Sequence, residues 1–277
     1  MVWIVVLGAL ILAGAALLAG GAQRAIVFPA MRAMSWNPAE AGWDYQDVFL
    51  AVDGQTTHGW FIPAPQSRGV LLYSHGNGGN ISGRMGGIAI WRGLGFDVLI
   101  YDYGGYGNST GKPSEKRCYQ DIRACWRWLV EEQGIPPERI VLFGRSLGGA
   151  VAADLAADVT PGAVILESTF TSAVSLGKEA FPFLPVSLLL RHRFDTASKI
   201  ARLTAPVLVV HSPDDDVVPY HHGRALFEQA PEPKTFLEIG GSHNDGYAET
   251  GERYVQSLRS FLEPLFPGEE GKGLTDS

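Results

Sequence analysis

From Gly69 onward the chain alternates short apolar runs with longer mixed stretches. The runs are "GVLLYSH", "FDVLIYD", "RIVLFGR", "GAVILES", "APVLVVHS" and "TFLEIGG". Runs this short and this uniformly apolar predict strands covered on both faces, with helices between them supplying the cover. Ahead of them, "YQDVFLAV" and "THGWFIP" are joined through Asp53-Gly54, which predicts a hairpin. Directly behind "RIVLF", the stretch Leu147 to Ala157 is rich in alanine and leucine and predicts a helix. The pattern is that of one α/β domain over residues 45–266, built on a mostly parallel sheet with helices on both faces, and no internal repeat interrupts it.

The two ends depart from that pattern. Residues 1–22, "MVWIVVLGALILAGAALLAGGA", carry no charged side chain, and the first charge is Arg24. At helical rise this stretch reaches about 33 Å, enough to cross a hydrocarbon core. A cleaved signal peptide is the rival reading, but no basic residue precedes the run and it is long for such a segment. It predicts an uncleaved single-pass transmembrane anchor. Arg24 and Arg32 follow it, which favours a cytoplasmic catalytic domain. Residues 23–44 read as a proline-containing connector, and the tail 267–277, "PGEEGKGLTDS", as disordered.

Between two of the strand runs lie residues 169–204, too many for a minimal crossover and too few for a domain. Their centre, "FPFLPVSLLL", is apolar with two prolines. It predicts a lid over about 170–204 that lines a slot for an acyl chain, with Phe183 and Leu189 among the lining side chains. The formal charge of −7 excludes an electrostatic footprint for nucleic acid. Cys118 and Cys125 stand seven apart in a helical stretch. That is about 10 Å, beyond the reach of a disulfide, and the spacing matches no metal site.

In parallel sheets, sites form at the carboxyl ends of strands, and three of those ends carry chemistry. "GRSLGG" places Ser146 on the turn between strand and helix in the pattern G-x-S-x-G. There the glycines Gly144 and Gly148 permit a close backbone passage that holds the hydroxyl above the sheet. The bland alternative is a glycine-rich turn with an incidental cap. "HGNGGN" ends an earlier strand and can aim the Asn77 amide at the same point as the Leu147 amide, a pairing that makes an oxyanion hole. It lacks the Lys-Ser/Thr of a phosphate loop. "HSPDDDVVPY" offers carboxylates at Asp214, Asp215 and Asp216, of which Asp215 is well placed to meet a histidine. "GGSHND" supplies His243 as a general base. The order Ser146, Asp215, His243 is the one that accompanies this nucleophile turn. Glu167 is the second candidate acid. Asp102 and His75 read as loop-shaping residues, Arg145 as the partner of a carboxylate. His58, His192, His211, His221 and His222 take packing or surface roles by default.

Over roughly Tyr45 to Leu265 the chain resembles the α/β-hydrolase superfamily. "YSHGNGGN", "YDYGGYGNSTG", "GRSLGG", "HSPDDDVVP" and "GGSHND" resemble a membrane-anchored branch that includes animal protein depalmitoylases and bacterial relatives. The resemblance implies Ser146 as nucleophile, Asp215 as acid, His243 as base, and Asn77 and Leu147 as oxyanion amides, with no metal or organic cofactor. It departs at His211-Ser212, where the family often has His-Gly, which implies a local change of turn. It departs again at the N-terminus, where a hydrophobic span stands in place of a cysteine cluster. The expected activity is hydrolysis of carboxylic esters or thioesters of small-molecule or lipid-like substrates. A serine peptidase of the same fold and a non-catalytic binding protein are the alternatives.

Overall fold

The computed structural model describes residues 21–268. The predicted anchor falls almost wholly outside that range, and no helix among the described residues is long and apolar enough to cross a membrane.

Eight strands form one sheet: β1 (Gln46–Val52), β2 (Gln55–Ile62), β3 (Gly69–Ser74), β4 (Phe96–Tyr101), β5 (Ile140–Arg145), β6 (Ala163–Glu167), β7 (Val207–His211) and β8 (Lys234–Glu238). Their order is β1-β2-β4-β3-β5-β6-β7-β8. The hairpin β1–β2 and the pair β2–β4 are antiparallel, and every other pair is parallel. The helices are α1 (Gly21–Val27), α2 (Met85–Gly93), α3 (Glu115–Arg127), α4 (Leu147–Ala156), α5 (Ala173–Ala180), α6 (Val186–Leu189), α7 (Thr196–Ile200), α8 (Tyr220–Gln229), α9 (Gly246–Thr250) and α10 (Glu252–Leu262).

The uniform apolarity of the central strands has its cause in this layering. Alternate residues of β3, β5 and β6 enter two separate cores. Leu72, Leu142 and Val164 pack on the face covered by α3 and α4, with Ile122 and Ala153. Leu71, Val141 and Ile165 pack on the opposite face, with Trp91 of α2 and Leu258 of α10. The edge strands lack the second cover and show mixed burial. Cys118 and Cys125 are free and buried along α3. Phe266 is buried, so the packed domain runs to that residue.

The stretch read as a connector is integral to the domain. Phe28 is in the core, and Gln23 of α1 donates to the Leu189 carbonyl at 3.0 Å and accepts from the Arg191 amide at 3.1 Å. Helix α1 therefore braces the segment 170–204, which folds as α5, α6 and α7. That segment is also tied to α8, because Glu179 lies 3.2 Å from His221 and 3.3 Å from His222. These three groups approach one another closely enough to suggest a metal site. The Thr171 amide, however, donates to His222 Nδ1, so the neutral ring carries its proton on Nε2, facing Glu179 rather than offering a lone pair.

Candidate active site

Ser146 stands between β5 and α4 with φ 54° and ψ −121°, a left-handed conformation rare for a residue with a side chain. The neighbouring glycines make it possible. A Cβ on Gly148 would come within 2.0 Å of the Ser74 carbonyl oxygen, and one on Gly144 within 2.2 Å of the Gly148 oxygen. The turn is fastened by the Ser146 amide donating to the Glu167 carbonyl at 2.9 Å and by Thr169 Oγ1 donating to the Ser146 carbonyl at 2.6 Å. Strain of this kind persists only where the surroundings over-determine it.

The loops after β7 and β8 meet above this turn. His243 Nε2 lies 3.0 Å from Ser146 Oγ, and His243 Nδ1 lies 2.8 and 3.0 Å from the Asp215 oxygens. Asp215 Oδ1 also accepts from the Val217 and Val218 amides at 2.9 and 2.7 Å. Burial alone would raise the Asp215 carboxyl, but the His243 hydrogen bond and these two amides outweigh it and hold it below the usual carboxylate range.

Three further groups fix these loops, and periodicity gave no sign of them. Ser212 Oγ donates to the Gly241 carbonyl at 2.6 Å, joining the acid loop to the histidine loop. This serine stands at the departure from His-Gly, and its side chain cross-links the two loops. Asp216 Oδ1 accepts from the His243 amide at 3.1 Å, although Asp216 is exposed. Buried His211 donates from Nε2 to the Val218 carbonyl at 2.8 Å, and only a glycine at 223 fits beside its ring, where a Cβ would come within 2.3 Å of Nδ1. Burial keeps this imidazole below its ordinary pKa, hence neutral at pH 7.

The glycine-rich loop after β3 lies on the other flank of Ser146. Gly76 packs there, where a Cβ would sit 3.6 Å from the serine Cβ. Asn77 is held by its carbonyl, which accepts from Tyr106 Oη at 2.7 Å, and by its side chain, which donates to the Val27 carbonyl at 3.2 Å. Leu147 is the first residue of α4, so its amide is one of the helix donors without an intrahelical partner. Asp102 shapes this loop by accepting from the Ile81 amide at 3.0 Å and lies 3.5 Å from His75.

A sequence profile for the family described as serine aminopeptidase, S33, matches residues 65–194. An uncharacterized protein of Mycobacterium tuberculosis is 35% identical over 268 residues, which are 94% of each chain. Human alpha/beta hydrolase domain-containing protein 17B is 38% identical over 202 residues, 72% of this chain and 68% of its own. The chain belongs to the α/β-hydrolase superfamily. Among solved structures, an esterase of Pyrococcus furiosus superposes with a TM-score of 0.71 at 19% identity, covering 85% of this chain and 98% of that one. An acylaminoacyl peptidase of Pyrococcus horikoshii superposes with a TM-score of 0.64 at 15% identity, covering 83% of this chain and 43% of that one. Both are likenesses of fold.

In this α/β-hydrolase, Ser146 opens onto two cavities of different lining. One, of about 300 Å³, is apolar and lies under the segment 170–204, lined by Leu147, Phe170, Leu176, Val186, Leu190 and Phe194 among others. Ile26 and Val27 of α1 close its side, and Asn77 also borders it. The expected lining residue Phe183 is instead 95% exposed, and Leu189 contributes its carbonyl to Gln23 rather than its side chain to the slot. A proline-interrupted segment has no fixed helical period, so the side chains facing inward were not legible from spacing. The other cavity, of about 420 Å³, is mixed, with His243, Arg84, Arg145 and Asn80 set beside Met31 and Tyr73 among others.

Glu167, the second candidate acid, is turned away from His243. It accepts from Tyr254 Oη at 2.5 Å and lies 3.4 Å from Arg145 Nε. Arg145 thus pairs with a carboxylate as expected, but its Nη2 also donates to the His243 carbonyl, which ties the residue beside the serine to the histidine loop.

Proposed function

We propose that the protein is a serine hydrolase that cleaves carboxylic esters or thioesters through an acyl-enzyme. The observation that carries the reading is His243 Nε2 at 3.0 Å from Ser146 Oγ, with Asp215 at 2.8 Å behind the ring. Ser146 attacks the acyl carbon while His243 takes its proton. The amides of Asn77 and Leu147 receive the oxyanion. His243 then returns the proton to the leaving oxygen or sulfur, and a water activated by the same imidazole releases the acid. Asp215 fixes the Nδ1–H tautomer and stabilises the imidazolium, a role its lowered pKa suits.

The acyl chain occupies the apolar cavity under the lid, which favours medium or longer chains. Residues 1–22 hold the protein to a membrane as a single-pass anchor, with the domain on the cytoplasmic side, a reading that rests on their uncharged length. Mass spectrometry of the native chain should find residue 1 or 2 at its start, and an N-terminus near Gln23 would contradict the anchor. An aminopeptidase activity is disfavoured by a specific absence. A free α-ammonium needs a carboxylate to receive it; among the described residues neither cavity at Ser146 is lined by an aspartate or glutamate, and Glu167 of the adjoining cavity is already paired with Arg145. The test is labelling by a fluorophosphonate probe together with hydrolysis of p-nitrophenyl esters. Both should be present in the wild type and absent in Ser146→Ala, and a labelled or active Ser146→Ala would refute the reading.

A further inference from the structure

The two cavities at Ser146 can be assigned by the proton that His243 must deliver. The general acid has to reach the leaving atom, so the leaving group lies on the histidine side. His243 lines the mixed cavity, which also holds Arg84 and Arg145, and not the apolar one. The leaving group therefore occupies a space bordered by two arginines and, among the described residues, by no acidic one, Glu167 lying in the cavity that adjoins it. Of the two, Arg145 is already committed, to Glu167 at 3.4 Å and to the His243 carbonyl. Arg84 is not. It is half-buried, its Nη2 donates to the Gly78 carbonyl, and its Nε is buried with no hydrogen-bond partner among the described residues. No carboxylate among the described residues forms an ion pair with it. Its charge reaches the loop beneath, since the His75 imidazole is held below its ordinary pKa by burial first and by Arg84 in addition, against the opposing pull of Asp102.

The Arg84 Nη1 is not buried and makes no hydrogen bond among the described residues, so the guanidinium has no anionic partner in the empty site and an anion in the cavity would supply one. Its planar fork suits phosphate or carboxylate oxygens. We propose that Arg84 is a specificity residue for an anionic leaving group, so that the preferred substrate joins an apolar acyl chain to an alcohol or thiol bearing a phosphate or a carboxylate. The inference rests on the hydrolase reading above and deepens it.

The experiment compares kcat/KM of the full chain, in neutral detergent, for three esters sharing one decanoyl chain: on glycerol, on glycerol phosphate and on glyceric acid. One or both anionic esters should exceed the neutral ester by about ten-fold or more, the size of a charge-assisted hydrogen bond. Preference for the phosphate alone, or for the carboxylate alone, names the anion. In Arg84→Gln the ratio of anionic to neutral ester should fall to about one, while Arg84→Lys keeps part of it. Arg253→Gln, on α10 away from the cavity, keeps all of it and serves as the control for net charge. Equal efficiencies in the wild type, or a preference that survives in Arg84→Gln, would overturn the inference. So would failure to cleave any of the three esters by an enzyme whose Ser146 still takes a fluorophosphonate. Failure of that labelling would bring down the hydrolase reading itself.

Discussion

On the His243 side of Ser146 the wall is made of strand-end loops fastened to one another by polar side chains. On the side of segment 170–204 it is made of three short helices that turn apolar side chains to the cavity, while polar bonds such as Gln23–Leu189 and Glu115–Phe194 fasten the segment to its neighbours. The first wall carries the Ser212–Gly241, Asp216–His243 and Arg145–His243 bonds in addition to the Asp215–His243 pair. The second carries Phe170, Leu176, Val186 and Phe194 inward, and presents Phe183 and Leu188 to solvent at 95% and 86% exposure. Hydrogen bonds fix direction as well as distance, whereas apolar contact is indifferent to direction. Proton transfer needs the first kind of precision. The acyl-chain role proposed for the second wall asks only for tolerance of different lengths.

That contrast is open to attack at several points. The largest effect is expected on the polar wall. Asp215→Asn leaves the imidazole without its fixed tautomer and should lower kcat by about 10⁴. Glu167→Gln, whose carboxylate faces Tyr254 and Arg145, should not approach that loss. Steady-state kinetics on one ester, with both variants shown to be folded by thermal melts, decide it. An equal loss in Glu167→Gln would show that the acid is misassigned.

The apolar wall should respond in a different currency, chain length. Each methylene buried in a slot is worth about 0.8 kcal/mol, so kcat/KM should climb about four-fold per carbon over the first few carbons from acetyl. Leu176→Ala should flatten that climb by roughly ten-fold at octanoyl with little change at acetyl. Phe183→Ala, exposed, should leave the profile intact. A flat profile in the wild type would remove the slot.

A smaller effect is expected at Asp216. Its carboxylate receives one backbone amide, and loss of such a bond costs about 1 kcal/mol, so Asp216→Ala should lower kcat by roughly five-fold. Asp216→Asn retains an acceptor oxygen and should recover most of it. No loss in Asp216→Ala would mean that the histidine loop is held without this contact.

The smallest effect is on stability. The Asp215 carboxyl is held below its ordinary value in the folded chain. Its charged form therefore contributes stability that is fully present above the unfolded value of about 3.9 and is lost as pH falls through the lower folded value. The difference in Tm between wild type and Asp215→Asn should stay level from about pH 5 to 8 and narrow only below about pH 4. A difference that already narrows between about pH 5 and 7 would contradict the lowered pKa.

The sheet and the serine turn were readable because each depends on near neighbours in sequence. Apolar runs mark strands covered on both faces, and G-x-S-x-G marks a turn that glycine alone permits at Gly144 and Gly148. The carboxyl-end rule then led to Asp215 and His243 without their distances. The packing role expected of His211 holds, but the contacts of His211, Ser212 and Asp216 were not legible because their partners lie on other loops, or at an irregular turn, where side-chain direction follows no period. The packing of residues 23–44 was missed for the related reason that Gln23 and Phe28 find their partners well over a hundred residues away. What stayed hidden was the set of cross-links between segments that were each legible alone.

The central claim is an acyl-enzyme on Ser146. Acid-quenching the full chain during turnover of p-nitrophenyl octanoate, followed by peptide mass spectrometry, tests it directly. The account predicts an octanoyl mass increment on the peptide holding Ser146, transient in the wild type and long-lived in a variant with slowed deacylation such as Asp215→Asn. Ester turnover with no increment on that peptide, or with the acyl group on another residue, would contradict it.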